Sequence, residues 1–189
     1  VLLPGWLILV NRQGRRFTSE SAPYTVLGGL IEKEGGSAFA VFDEIARADA
    51  KPSPISQANW VSDVLETKAD EGRIHRADSL EALAREMAVD ESGLLGTVAR
   101  YNSDVELGAD TAFFKEHGMQ KIATPPFYGV EIRPAIVCWT GTGVRIDADT
   151  CVINKSERRI PGLYAAGETI GNLHGDRYIG GGGSFGPCI

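Results

Sequence analysis

Gly162-Leu163-Tyr164-Ala165-Ala166-Gly167-Glu168, continuing through His174-Gly175-Asp176-Arg177-Tyr178 into Gly180-Gly181-Gly182-Gly183-Ser184-Phe185-Gly186, is the stretch from which the fold of this chain is read. Leu163 to Ala166 is a short apolar run between two glycines, a pattern that predicts a strand covered on both faces. Glu168 follows at its carboxyl end, where ligands sit in open α/β sheets, so its carboxylate is placed to accept hydrogen bonds from ligand hydroxyls. Four consecutive glycines from Gly180 to Gly183 remove every Cβ from the backbone, letting its N–H groups approach something flat or anionic. Gly181, Gly183 and Gly186 match G-x-G-x-x-G formally, but that fingerprint requires a preceding strand, a following helix and an acidic residue about twenty positions on. A merely flexible glycine loop is the plain alternative; a cofactor loop of another kind is the preferred reading.

Working outward, the 189 residues are 43% apolar and 23% charged, an ordinary globular balance with room for a sizeable core. A net charge of −6 offers no electrostatic attraction to nucleic acid or to an anionic membrane. No apolar run approaches the length of a membrane-spanning helix, so membrane insertion is not expected. The apolar start, Val1 to Val10, contains Pro4 and Gly5 and lacks a basic leader, and reads as a strand entered mid-domain rather than a signal peptide. Cys138, Cys151 and Cys188 are odd in number and lack metal spacing, which favours reduced thiols and a cytoplasmic protein.

Leu7 to Asn11 is a predicted strand, Arg12 to Arg15 a hairpin turn, and Arg16-Phe17 the return. Val26, Leu27, Leu30 and Ile31 have helical spacing over Tyr24 to Glu34, ended by Gly35-Gly36. Ala38 to Phe42 reads as a strand and Ala58 to Thr67 as a helix. Asp78 or Ser79 caps a helix carrying Leu80, Leu83 and Met87, and Asp90 caps a longer one that runs to about Leu107 and Gly108. Residues 130–132, 144–146 and 152–154 are further strand candidates. His75 and His117 stand in polar surroundings without ligand-spaced neighbours and read as surface histidines.

The C-terminal run from Arg159-Ile160-Pro161-Gly162 to the glycine loop, and the N-terminal run Ile8-Leu9-Val10-Asn11-Arg12-Gln13-Gly14-Arg15-Arg16-Phe17 followed by Glu20, resemble the flavoprotein family of fumarate reductases, succinate dehydrogenase flavoprotein subunits and 3-ketosteroid dehydrogenases. The resemblance covers essentially the whole chain and implies FAD as cofactor. It implies an α+β fold in which a capping domain, residues 20–132, is inserted between two pieces, 1–19 and 133–189, of a glutathione-reductase-type FAD-binding domain whose N-terminal βαβ unit is absent here. By the same resemblance Gly167, Glu168, His174, Gly183 and Ser184 are cofactor-binding; for His174, a loop-stabilising hydrogen bond is the equal alternative.

The departures from the fumarate reductases bear on substrate. Holding a dicarboxylate requires cations, for which Arg forks are suited. The family's proton-donating Arg follows its R-F-x-x-E segment, and counting from Arg16-Phe17 and Glu20 that position is Tyr24. Its second carboxylate-binding Arg follows the His-Gly pair, and here the count reaches Tyr178, with Arg177 one residue away. The family's substrate-binding His aligns near Cys138 or Trp139.

Glu20-Ser21-Ala22-Pro23-Tyr24 is instead similar to a segment of the 3-ketosteroid dehydrogenases, and Tyr178-Ile179-Gly180-Gly181-Gly182 has the spacing of a second. That resemblance implies that the Tyr178 hydroxyl and the Gly182 N–H bind a ketone oxygen, acidifying the α-carbon as an oxyanion hole does. It implies that Tyr24, as phenolate, takes the α-proton while a hydride passes to flavin, with an external electron acceptor completing turnover. An unperturbed tyrosine is a poor base at neutral pH, so the Tyr24 site must favour the phenolate. The expected function is thus dehydrogenation of a carbon–carbon bond beside a ketone in a 3-ketosteroid-like small molecule. The alternatives are a fumarate- or urocanate-type reductase, for which Arg177, Arg133 or Arg145 supplies the missing cation, and a non-catalytic flavoprotein remnant.

Overall fold

The computed structural model describes residues 3–52, 59–135 and 142–171, with the backbone but not the side chains of residues 24 and 25. The chain forms two compact units, Val1–Pro134 and Ala135–Ile189.

The first unit is built on four antiparallel strands, β1 (Ile8–Val10), β2 (Ala38–Asp43), β3 (His75–Ala77) and β4 (Phe127–Ile132), in the order β1-β2-β4-β3. Five helices accompany it among the described residues: α1 (Tyr24–Lys33), α2 (Glu44–Asp49), α3 (Ser62–Asp70), α4 (Leu80–Met87) and α5 (Glu91–Leu107). Alternation along the strands sends Ile8, Val10, Phe39, Val41 and Phe127 to one face, against Leu83 and Met87 of α4 and Leu94, Val98 and Tyr101 of α5. Leu7, Leu9, Ala40, Phe42 and Tyr128 face the other way, against Leu27 of α1, Ala46 of α2 and Leu65 of α3. Cover on both faces explains why β1, and β2 up to its terminal Asp43, are continuous apolar runs, every residue of which is buried.

The predicted hairpin at the start of the chain is present: Asn11 N–H donates to the Arg15 carbonyl at 3.0 Å, and Val10 bridges antiparallel to Arg16. Helix boundaries follow local chemistry. Ser79 and Asp90 cap α4 and α5 through their side-chain oxygens, and α5 ends at Gly108 in the left-handed region (φ 73°). The helix expected over residues 58–67 is α3, beginning at Ser62.

The second unit holds a two-stranded antiparallel sheet, β5 (Cys151–Ile153) with β6 (Arg159–Tyr164). The expectation of a strand over residues 163–166 covered on both faces is corrected here. The strand is Arg159–Tyr164, all six residues are exposed, and its pairing is a hairpin with β5. Cys151 and Val152 are buried, whereas the apolar residues of β6 lie on the outer face. Among the described residues, 144–146 make only isolated bridges, Val144 parallel to Ile170 and Ile146 antiparallel to Val152.

Candidate functional site

The segment from Arg16 to Tyr24 is fastened by a buried ionic cluster. Glu20 accepts the Leu9 N–H at 2.9 Å, Arg16 Nε at 3.0 Å and Arg16 Nη2 at 2.8 Å. Arg16 turns its other edge to Asp110, at 3.1 and 2.8 Å, so one guanidinium is held by two carboxylates. Lys115 Nζ reaches Glu20 at 3.2 Å and donates to the Leu7 carbonyl at 2.6 Å. All four side chains are at most 5% exposed, and two cations balance two anions. Tyr101 and Phe113 close the guanidinium from the sides, with ring centroids 5.1 and 5.0 Å from Arg16.

The electrostatics follow from this packing. Burial alone would raise the Asp110 carboxyl, but Arg16, with the N–H groups of Phe113 and Ala112, outweighs it and holds the pKa at about 2. Burial lowers the Lys115 ammonium against the pull of Glu20, and burial pushes the Tyr101 phenol up to about 12. The cluster is closed to solvent and its charges are committed to each other. Its effect is to fix the chain immediately before Tyr24, which is the first residue of α1, after Pro23 at the N-cap.

Pro23 accepts the N–H groups of Val26 and Leu27 through its carbonyl, and α1 carries no acidic residue in its first turn. That helix end therefore favours negative charge.

In the second unit, Gly167, buried and at φ 77°, opens a single 3₁₀ turn, Gly167–Thr169. Glu168 stands exposed on that turn, and its carboxylate has no hydrogen bond or ion pair among the described residues. A free carboxylate on an exposed, glycine-opened turn fits the role of accepting hydrogen bonds from the hydroxyls of FAD. Gly171 N–H donates to the Val144 carbonyl, and Val144 N–H to the Thr169 carbonyl, each at 3.0 Å, so the turn is tied to the 143–144 backbone.

His174, Tyr178, Gly182, Gly183 and Ser184 lie outside the described residues, as do Cys138, Trp139 and Arg177. Of the cations a carboxylate substrate would need, Arg133 faces Glu131 at 2.7 Å and Arg145 faces Glu157 at 2.5 and 2.9 Å. His117 is exposed and His75 lies half-exposed in β3, 3.9 Å from Glu86. Among the described residues no helix is long and apolar enough to cross a membrane, and no group of three or more metal-ligating side chains occurs.

The sequence reading missed Asp110 and Lys115. Each belongs to a residue type that is ordinarily exposed, and the only local signal is that Lys115 follows Phe113-Phe114 in a loop otherwise free of apolar spacing.

Residues 4–184 match the FAD binding domain family. The chain is 35% identical over 181 residues to the NADH:acrylate oxidoreductase of Vibrio harveyi, covering 96% of this chain and 17% of that protein. It is 33% identical over 175 residues to the fumarate reductase (cytochrome) of Shewanella frigidimarina, covering 92% and 28%. In structure it is similar to the 3-ketosteroid delta1-dehydrogenase of Sterolibacterium denitrificans, solved in complex with 1,4-androstadiene-3,17-dione. That match has a TM-score of 0.77 and 27% identity over 98% of this chain and 36% of the enzyme. The chain thus spans between about a sixth and about a third of these proteins. With the family model matching nearly end to end, this chain belongs to the FAD binding domain family, and its cofactor is FAD.

Proposed function

We propose that the full-length protein dehydrogenates a carbon–carbon bond adjacent to a ketone in a flat, 3-ketosteroid-like substrate. In this reading residues 20–132 form a capping domain between two pieces, 1–19 and 133–189, of the FAD-binding domain. Tyr24, as phenolate, takes the α-proton and then holds it, and the Tyr178 hydroxyl and Gly182 N–H orient and polarise the ketone oxygen. FAD, when bound, supplies the hydride acceptor, and an external electron acceptor regenerates it. Gly167, Glu168, His174, Gly183 and Ser184 hold the cofactor, Glu168 through ribityl hydroxyls.

The observation that carries this reading is the run Glu20-Ser21-Ala22-Pro23-Tyr24. Glu20 is anchored by Arg16, Lys115 and Leu9, and the residue that follows Pro23 at the helix start is a phenol, not a guanidinium. Arg16 and Lys115 are the buried cations of this region, and both are consumed by Glu20 and Asp110. Neither remains for a substrate carboxylate.

A second reading, reduction of an unsaturated carboxylate, is favoured by the 35% and 33% identities to the acrylate and fumarate enzymes. The full-length protein, assayed with an artificial electron acceptor against 3-ketosteroids and with a reduced donor against fumarate and acrylate, separates the two. Dye reduction by the steroid without carboxylate turnover is the expected result; the reverse overturns the proposal.

A further inference from the structure

The Glu168 turn is held from outside by a contact that only glycine permits. A Cβ on Gly143 would stand 2.2 Å from the Thr169 carbonyl oxygen, 2.9 Å from the Gly171 nitrogen and 2.9 Å from the Ile170 carbonyl carbon, all backbone atoms. A Cβ on Gly171 would stand 2.4 Å from the Gly143 nitrogen. The two backbones lie against each other, and the hydrogen bonds from Val144 to Thr169 and from Gly171 to Val144 lock that approach. Gly143 is exposed, so the absence of a side chain there relieves no crowding in a core. What it permits is the position of Thr169, the last residue of the turn that carries Glu168.

We infer that Gly143 is a positioning residue for FAD, acting through the Glu168 turn. The inference rests on Glu168 being a cofactor ligand, and the test keeps the two claims apart. A methyl group at Gly143 cannot coexist with the Thr169 carbonyl where it stands, so either the turn or the 143–144 backbone moves. Thr169 and Gly171 are both tied to Val144, so displacement is passed to Glu168.

The experiment is a double-mutant cycle on FAD affinity, read by quenching of flavin fluorescence on titration into the full-length apoprotein. Glu168→Ala is expected to weaken binding more than tenfold, since it removes a charge-assisted hydrogen bond. Gly143→Ala alone is expected to weaken it about tenfold, and Gly143→Ala added to Glu168→Ala to have almost no further effect. If Glu168→Ala binds normally, the underlying assignment of Glu168 fails. If Glu168→Ala binds weakly but Gly143→Ala binds normally, or costs the same factor in both backgrounds, Gly143 is not acting through the turn and the inference is overturned. A measurement without the Gly143 variant guards against its failing to fold. Hydrogen exchange at the Val144 and Gly171 amides should slow when FAD is added to the wild-type apoprotein and respond far less in Glu168→Ala. Equal response in both proteins overturns the inference as surely as additivity.

Discussion

Lys115 shows how much one residue decides in the first unit. It is fully buried, donates to the Leu7 carbonyl and pairs with Glu20, whose other cationic partner, Arg16, is shared with Asp110. Replacing it with Met keeps the length but leaves the cluster one negative charge in excess, a change expected to cost about 3–5 kcal/mol of folding stability. Urea unfolding of Lys115→Met measures this directly. Asp110 makes the acid-side counterpart. Its carboxyl is held at about 2 in the folded chain against an ordinary 3.8, so its contribution is fully present above about pH 4 and is lost as pH falls toward 2. Asp110→Asn should therefore be less stable at neutral pH, and its deficit relative to wild type should shrink by roughly 2 kcal/mol between pH 4 and pH 2. A constant deficit across that window would contradict the assignment. Half of this cluster is legible in the sequence: Arg16 and Glu20 stand four apart in a recognisable run. Asp110 lies 94 residues from Arg16 and arrives through the tertiary fold alone. The carboxylate at Glu168 is legible for the opposite reason, because a strand, a glycine and an acid are adjacent in the chain.

The elements themselves separate into those announced by local chemistry and those decided by packing. Ser79, Asp90 and Gly108 announce their helix ends through hydrogen bonds and a left-handed backbone that the residue types favour. α2 escapes a periodicity reading because six residues make fewer than two turns; its start is fixed by Asp43, whose side chain accepts the Ala46 N–H at the end of β2 and two more from Ala123 and Thr124. β3, His-Arg-Ala, has no apolar alternation and exists because it pairs with β4. β6 misleads because Leu163 to Ala166 is apolar and short, yet apolarity reports what a strand tolerates, and within the second unit this one lies outside. The helical glycines of α5 give a contrast that propensity alone misses. Gly96 has nothing within 4 Å of an added Cβ, so Gly96→Ala should stabilise the first unit by about 0.5–1 kcal/mol. A Cβ on Gly93 would stand 2.0 Å from the Gln13 carbonyl oxygen, where the hairpin turn docks on the helix, so Gly93→Ala should destabilise despite the same gain in propensity. Thermal unfolding of the two variants should move in opposite directions; a stabilised Gly93→Ala would mean the hairpin is not seated on α5 as described.

At the scale of the whole molecule, this chain corresponds to 36% of the ketosteroid dehydrogenase it resembles, and the predictions about activity are made for the full-length protein. The two readings of that activity differ in which side chains carry charge at the reacting carbon, and three substitutions in the full-length protein distinguish them. If Tyr24 is the base, Tyr24→Phe leaves ketosteroid binding largely intact and nearly abolishes turnover, because the phenolic oxygen matters chiefly when the proton moves. If Tyr178 polarises the ketone, Tyr178→Phe weakens binding and also slows turnover by about 10²-fold or more, as loss of other oxyanion-hole donors does. Arg177→Ala should then be nearly silent. A carboxylate reductase inverts the pattern: Arg177→Ala is the damaging change, because an unpaired carboxylate in the pocket is what the guanidinium would have relieved. The buried cluster adds a second comparison. Lys115→Met loosens the anchor of Glu20 ahead of Tyr24 as well as the fold, so it should lower both the folded fraction and the kcat of what folds, whereas Tyr24→Phe should keep its folded fraction and lose kcat. Steady-state kinetics with an artificial electron acceptor, normalised to the bound-flavin absorbance, reads both quantities, and full activity in Tyr24→Phe would remove the base from the mechanism.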